Sequence, residues 1–236
     1  ADAILATCTD EVHELLLMGV PRQQIAVIPC GVDLNLFTPH GPTTARSTRP
    51  RLLSLGRLVP RKGIGTIIQA LRLLPDTELV IAGGTTDDPE AARLRELADA
   101  HGLTDRVTLI GSIPRPEVPA LLRSADVLVT VPWYEPFGIV PVEAMACGVP
   151  VVASAVGGHL DTVTGCGVLV PPRRPRALAA ALRDLLERPD LRASLKAAGE
   201  RRARERYGWP CVAERTESVY RNVITACPDR FAVTGG

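Results

Sequence analysis

The sequence predicts a doubly wound α/β domain: a parallel sheet of about six strands with helices on both faces. Two observations carry this. From residue 51 onward short apolar runs alternate with helical stretches, and each run is bounded by Gly, Pro or charged turn residues. Runs of that kind fit parallel strands covered on both faces, and strand–helix alternation joins them by right-handed crossovers.

The strands are expected at 51–56 (RLLSLG), 78–82 (ELVIA), 106–110 (RVTLI), 126–131 (DVLVTV) and 150–153 (PVVA), with a sixth at 167–170 (GVLV). Helical patterns lie between them at 63–74, 89–101, 116–124 and 139–147. The ends stand outside this unit. Residues 9–19 (TDEVHELLLMG) read as an amphipathic helix with Thr9 as its N-cap, stopping at Gly19 before Pro21. Residues 175–207 read as two helices broken at Pro189 and Asp190, and 207–224 as a last helix carrying Trp209, Val212, Val219 and Tyr220. The segment 41–49 (GPTTARSTR) reads as a polar, mobile linker. There is no internal repeat.

Composition narrows the function classes. At 236 residues the chain can bury one good core, and 46% hydrophobic against 22% charged residues argues against disorder. A net charge of +1 gives no support to a nucleic-acid or acidic-membrane surface. No run approaches a membrane span, and residues 1–9 lack the basic leader and cleavage site of a signal peptide. The missing initiator Met points to a chain cut or processed before Ala1. Six scattered cysteines (Cys8, Cys30, Cys147, Cys166, Cys211, Cys227) read as reduced and the protein as cytoplasmic, and four scattered histidines offer no metal site.

Two stretches carry chemistry. LGRLVPRKG (55–63) follows a strand, precedes a helix and places Arg57, Arg61 and Lys62 between two glycines. Ligands of open α/β sheets bind at such turns, and Arg with Lys suits a diphosphate, although an ordinary basic loop is an equal reading of this motif alone. EPFGIVPVE (135–143) follows the 126–131 strand, and Pro141 marks the first helical turn. Gly138 lets the backbone approach a ligand closely, and amides near Phe137, Gly138 and Ile139 point from a helix N-terminus toward an anion. Glu135 at the mouth of the strand and Glu143 about a turn inside the helix are natural acceptors for sugar or ribose hydroxyls. The plain alternative is a dipole role for Glu143 and a solvated Glu135.

The whole chain resembles the C-terminal domain of GT-B-fold glycosyltransferases of family 4. The matching pieces occur in family order: IPCGVDLNLF (28–37), LGRLVPRKG, LVIAGG (79–84), VTLIGSI (107–113), the long run 121–158 and GVLVPP (167–172). Glu135 and Glu143, with seven residues between, match the family's glutamate-pair signature. The resemblance implies a retaining transferase that uses a UDP-, GDP- or ADP-sugar as donor, with no metal and no separate cofactor. Arg57 and Lys62 would hold the diphosphate, Glu143 the ribose, and Glu135 the transferred sugar, with the backbone of Phe137, Gly138 and Ile139 nearby. Gly111 and Ile113, with Arg115 close by, would line the base pocket. Gly157 and Gly158 would form a neighbouring loop, or a simple turn, and His159 would take a surface or packing role.

The same resemblance divides the chain into an exit helix and linker (1–24), the nucleotide-sugar-binding domain (25–206) and a crossover helix with its tail (207–236). It also implies an absent N-terminal domain that would carry the acceptor site, and that could bring the protein to the inner membrane. Two departures stand out: 162–167 is a few residues short, and Cys30 stands where Asn is common. The partners expected are a nucleotide-sugar donor, an acceptor of unassigned class and the absent domain. The orphaned helices at both ends could self-associate, and no nucleic acid is expected. A binding module without catalysis is the alternative; a nicotinamide-dependent dehydrogenase is disfavoured by the lack of GxGxxG.

Overall fold

The computed structural model describes residues 1–85 and 87–226. Six strands form one parallel sheet: β3 (Arg51–Leu55), β4 (Glu78–Ala82), β5 (Val107–Gly111), β6 (Val127–Thr130), β7 (Val151–Ser154) and β8 (Val168–Val170), in the order β5-β4-β3-β6-β7-β8. The six expected strands are all present, within about a residue at each end. Chain direction explains the order. From β3 the chain winds outward through β4 and β5, then crosses back to lay β6 on the other side of β3. The reversal opens a crevice at the carboxyl ends of β3 and β6, the place where open sheets bind ligands.

Successive strand residues point to opposite faces and so feed two cores. Leu53, Leu128, Val151 and Ala153 pack with α4 (Val118–Arg123), α5 (Ile139–Ala146) and α8 (Pro189–Tyr207) through Leu122, Val142, Met145, Ala203 and Tyr207. Leu52, Leu79, Ile81, Val127, Val129 and Val152 pack on the other face. There they meet Ile64, Ile67, Leu71, Leu94, Leu178 and Leu182 of α2 (Ile64–Leu71), α3 (Pro89–Ala100) and α7 (Pro175–Glu187). Both faces being covered is why β4, β6 and β7 carry no polar alternation, whereas β5 at the sheet edge leaves Thr108 and Ile110 exposed.

Several details differ from the sequence reading. Residues 41–49 have no regular structure but are pinned rather than mobile. Arg46 pairs with Asp126 at 2.5 Å, Ser47 donates to Glu78, and the Arg123 guanidinium donates to the Pro42 carbonyl. Buried Arg51 joins the same belt through Glu78 at 2.6 Å and the Ala45 carbonyl at 3.0 Å. Tyr207 ends α8 rather than starting the last helix, which is α9 (Trp209–Ala226), with Gly208 extended between them.

At the start of the chain, β1 (Ile4–Ala6) and β2 (Ile25–Val27) pair in parallel around α1 (Thr9–Leu17), a small unit closed by Ala6, Val12 and Ile25. Three-residue strands give too short a pattern to read from sequence. Residues 25–27 therefore pair with the first segment and not with the main sheet. Cys8, not Thr9, holds the N-cap position of α1; the Thr9 amide and hydroxyl both donate to Asp161. Apolar residues stay exposed on both end segments, including Leu17 at 90% and Tyr220 at 64%, while Val212 is the buried residue of α9. Cys227 and the tail 227–236 lie outside the described residues.

Gly63 controls how the crevice closes. Its φ is +71°, and a Cβ there would stand 2.1 Å from the Val131 carbonyl oxygen. Gly63→Ala is expected to destabilise the domain by about 1–3 kcal/mol. Urea denaturation of both proteins measures it, and an unchanged midpoint would mean the two loops separate freely.

Candidate functional site

The loop after β3 and the loop after β6 face each other across the crevice. After Gly56 the chain tightens into a single 3-10 turn, Pro60–Lys62, and Gly63 turns it into α2. The Trp133 amide donates to the Arg61 carbonyl at 2.8 Å, and the Arg61 guanidinium donates to the Tyr134 carbonyl at 3.3 Å. Arg61 is thus spent on tying the loops together. Lys62 reaches across and pairs with Glu135 at 2.5 Å. Arg57 is exposed; its carbonyl accepts from the Val59 amide at 3.1 Å, and among the described residues no ion pair or hydrogen bond engages its guanidinium.

The second loop is shaped by a third. Gly158 donates its amide to the Glu135 carbonyl at 2.9 Å, and a Cβ on Gly158 would stand 2.4 Å from the Phe137 Cα. Gly157 and Gly158 are therefore close-packing positions against the glutamate loop rather than a simple turn. Phe137 is buried and sets its ring edge-on to Tyr207, centroids 5.7 Å apart. Helix α1 braces the loop from outside: the Cys8 thiol donates to the Pro136 carbonyl at 2.9 Å, and the Tyr134 hydroxyl to Glu14 at 3.3 Å.

Gly138, at φ +90°, is the N-cap position of α5, and no side chain caps the first-turn amides of that helix. Uncapped first-turn N–H groups of this kind are ready anion donors. Beneath Gly138 lies His159, fully buried, so the sequence reading of a surface or packing role resolves to packing. A Cβ at Gly138 would meet the His159 ring at 2.7 Å. His159 Nδ1 lies 3.0 Å from the Ser154 carbonyl and its Nε2 has no partner among the described residues, which fits a neutral ring with the proton on Nδ1. Burial holds its pKa below the ordinary value, the Ser154 carbonyl and Glu135 opposing and Lys62 adding to the effect.

Glu143 is 3% exposed, deep in α5. Burial pushes its carboxyl above the usual carboxylate range, and Arg115 opposes this. The Arg115 guanidinium lies 3.0 Å from Oε1, yet off the hydrogen-bond direction, so that oxygen has charge attraction without an aligned donor. Gly111, at φ +73°, turns the chain at the end of β5, where a Cβ would meet only the Gly84 carbonyl oxygen at 3.9 Å, and Ile113 is half-buried.

The structure thus brings Lys62 to Glu135, packs Phe137 against Gly158 and Gly138 against His159, and sets Glu143 beside Arg115. What the sequence reading missed is the support beneath: Asp161, the place of His159 under Gly138, and the partnership of Arg115 with Glu143. Their only sequence signal was adjacency to Gly158 and to the base-pocket loop. Among the described residues no group of three or more His, Cys, Asp and Glu side chains converges as metal ligands, and no helix is long and apolar enough to cross a membrane.

Comparison with known proteins places this geometry in context. The family described as "Glycosyl transferases group 1" matches residues 40–202. A D-inositol 3-phosphate glycosyltransferase from Xylanimonas cellulosilytica is 39% identical over 98% of this chain and 59% of its own length. The sucrose-phosphate synthase of Thermosynechococcus elongatus superposes with a TM-score of 0.85 at 34% identity, covering 96% of this chain and 59% of that one. Anabaena HepE, solved in complex with UDP-glucose, shares the fold with a TM-score of 0.82 at 24% identity over 95% of this chain and 64% of its own. The chain spans about three fifths of the length of the first curated relatives it matches.

A pH test follows from the buried imidazole. A proton is bound more readily to His159 unfolded than folded, so acidification below about 6.5 favours unfolding, with a slope of at most about 1.4 kcal/mol per pH unit. Urea midpoints at pH 7.5 and 5.5 should show this loss, and His159→Gln should lose less. Equal acid losses in both proteins would place the sensitivity elsewhere.

Proposed function

Because the chain belongs to the glycosyl transferases group 1 family, we propose that it is the donor-binding part of a family 4, retaining, metal-independent glycosyltransferase that takes a nucleoside diphosphate sugar. The observation that carries this reading is the pairing across the crevice of a basic loop with uncapped helix amides and a glutamate. Cations and N–H donors stand on both sides of one space, and acceptors for hydroxyls stand at its rim and floor. The UDP-glucose complex of Anabaena HepE, on the same fold, supports the nucleotide sugar as the ligand class.

In this reading the diphosphate lies between Lys62, Arg57 and the first amides of α5. Entry of the diphosphate splits the Lys62–Glu135 pair: the ammonium turns to phosphate and the carboxylate is freed for sugar hydroxyls. Ribose hydroxyls donate to Glu143. The base lies along Gly111 and Ile113, near main-chain groups. As the bond to the anomeric carbon breaks, negative charge grows on the leaving diphosphate, and Lys62, Arg57 and the helix amides stabilise it without a metal. The acceptor hydroxyl attacks on the face the leaving group vacates, its proton passing to the departing diphosphate as the new bond forms, and Glu135 stabilises the oxocarbenium-like state electrostatically.

The acceptor site belongs to the part of the relatives' length this chain does not span, and the exposed apolar residues of α1 and α9 are surfaces for that part or for a second copy. Orienting an acceptor is worth several kcal/mol, up to about 7–11, so the chain by itself is expected to bind donor and transfer nothing. Robust transfer by the 236-residue chain in a donor and acceptor panel would overturn this; with donor binding retained, its absence is the expected result.

Two substitution sets test the site. Lys62→Ala should weaken binding of the nucleoside diphosphate by about 1.5–3 kcal/mol and leave the bare nucleoside nearly unaffected; equal losses by calorimetry would remove Lys62 from the diphosphate. Glu143→Gln should impair nucleoside and nucleotide sugar alike, whereas Glu135→Gln should spare the nucleoside diphosphate and weaken only the sugar-bearing donor. An equal effect of Glu135→Gln on both ligands would overturn its assignment to the sugar.

A further inference from the structure

Glu143 is the fifth residue of an otherwise apolar helix, IVPVEAMA, and its neighbours Val142, Ala144 and Met145 belong to the core. A carboxylate so deep must be paired, hydrogen-bonded or protonated. Among the described residues Arg115 is the only cation within ion-pair reach, 3.0 Å from Oε1. Arg115 itself is well placed to stay there. It stands between Pro114 and Pro116 at the start of a 3-10 turn, which limits its backbone. Its guanidinium lies over the Phe37 ring, 5.1 Å from the centroid, and with its side chain 62% exposed it keeps much of its hydration.

We propose that Arg115 is a positioning residue of the nucleotide site, holding Glu143 as a charged, acceptor-only carboxylate for the ribose diol. The proposal rests on the assignment of Glu143 to the ribose. The off-axis geometry is what makes the pair useful. The guanidinium supplies charge without aligning a donor on Oε1, which is buried and has no hydrogen-bond partner among the described residues, so a hydroxyl that displaces the exposed edge of Arg115 meets an unused acceptor. A hydrogen bond to such a carboxylate is charge-assisted, and it is lost in kind if the group takes a proton and becomes a donor itself.

Among the described residues no other charge near Glu143 can take over. Cys147, one turn along α5, has its thiol pushed up to about 12 by burial and stays neutral. Arg123 of α4 gives its guanidinium to the Pro42 and Thr38 carbonyls. Lys196 and Glu200 of α8 lie against Gly148, beyond the far end of the helix, and Asp33, ahead of Phe37, caps the Asn35 and Leu36 amides. Without Arg115, burial alone governs the carboxyl, whose pKa then rises further, so its charge is lost as pH falls.

The test uses UDP, GDP and ADP on this chain, choosing whichever binds tightest, and compares it with its 2′,3′-dideoxy counterpart by calorimetry between pH 6 and 8.5. The unsubstituted chain should prefer the ribose form by about tenfold or more at every pH, as a charge-assisted contact requires. Arg115→Met should fall to near parity at pH 6 and regain the preference as pH rises, whereas Arg115→Lys should retain it throughout. Glu143→Gln should lose it at all pH values. A preference in Arg115→Met that is undiminished, or diminished equally at every pH, overturns the role of Arg115 while leaving the ribose assignment standing. Absence of any ribose preference in the unsubstituted chain, or of binding by all three nucleotides, removes the assignment of Glu143 itself and the proposal with it.

Discussion

At the carboxyl end of the sheet the loop leaving β3 lies against the loop leaving β6 because residue 63 has no side chain. The Val131 carbonyl occupies the place a Cβ would take. With that contact made, the Trp133 amide reaches the Arg61 carbonyl, Lys62 is delivered to Glu135, and the glutamate loop is held at the mouth of the crevice. The strand reversal between β3 and β6 creates the crevice, but it is backbone-to-backbone packing that sets its width. The same logic repeats on the far side, where Gly158 packs on Phe137 and ties the Glu135 carbonyl.

The charges of the crevice are arranged so that each acid has its own cation when no ligand is bound. Lys62 meets Glu135 near the rim, and Arg115 meets Glu143 at the floor. An unpaired carboxylate at the depth of Glu143 would cost several kcal/mol, so pairing keeps the empty fold stable. The two pairs differ in what they can do next. Lys62 with Glu135 is close and direct and must open for a ligand to use both groups. Arg115 with Glu143 is off the hydrogen-bond axis and can persist while the carboxylate accepts from elsewhere. The Arg57 guanidinium has no partner among the described residues, and an unengaged exposed cation carries the least desolvation cost on meeting an anion.

Support for the glutamate loop comes from three layers that the crevice itself does not show. Helix α1 touches it through Cys8 and Tyr134, α8 through the ring of Tyr207, and the buried imidazole of His159 fills the space under Gly138. The first segment of the chain is therefore fastened to the site, by way of Asp161 and Thr9, even though its strands stand apart from the main sheet.

The sequence by itself determined the doubly wound class, the six strands, the two loops that carry Arg57, Lys62 and Glu135, and the helix that carries Glu143. These are local properties. A strand buried on both faces must be apolar throughout, a helix start tolerates Pro141 near its head, and a turn with φ above zero favours Gly138. What the tertiary structure decided are relations between segments far apart in the chain. The pairing of Arg115 with Glu143, the burial of His159, the pinning of 41–49 by Asp126 and Glu78, and the joining of β1 to β2 are all of this kind. None leaves a periodic trace, because each depends on a single residue meeting another through packing. A lone Arg, His or Asp reads the same whether it is solvated or locked in place, and three-residue strands are too short for a period to show. Proximity of the strand ends, set by the reversal of the sheet, is what turns those isolated residues into one site.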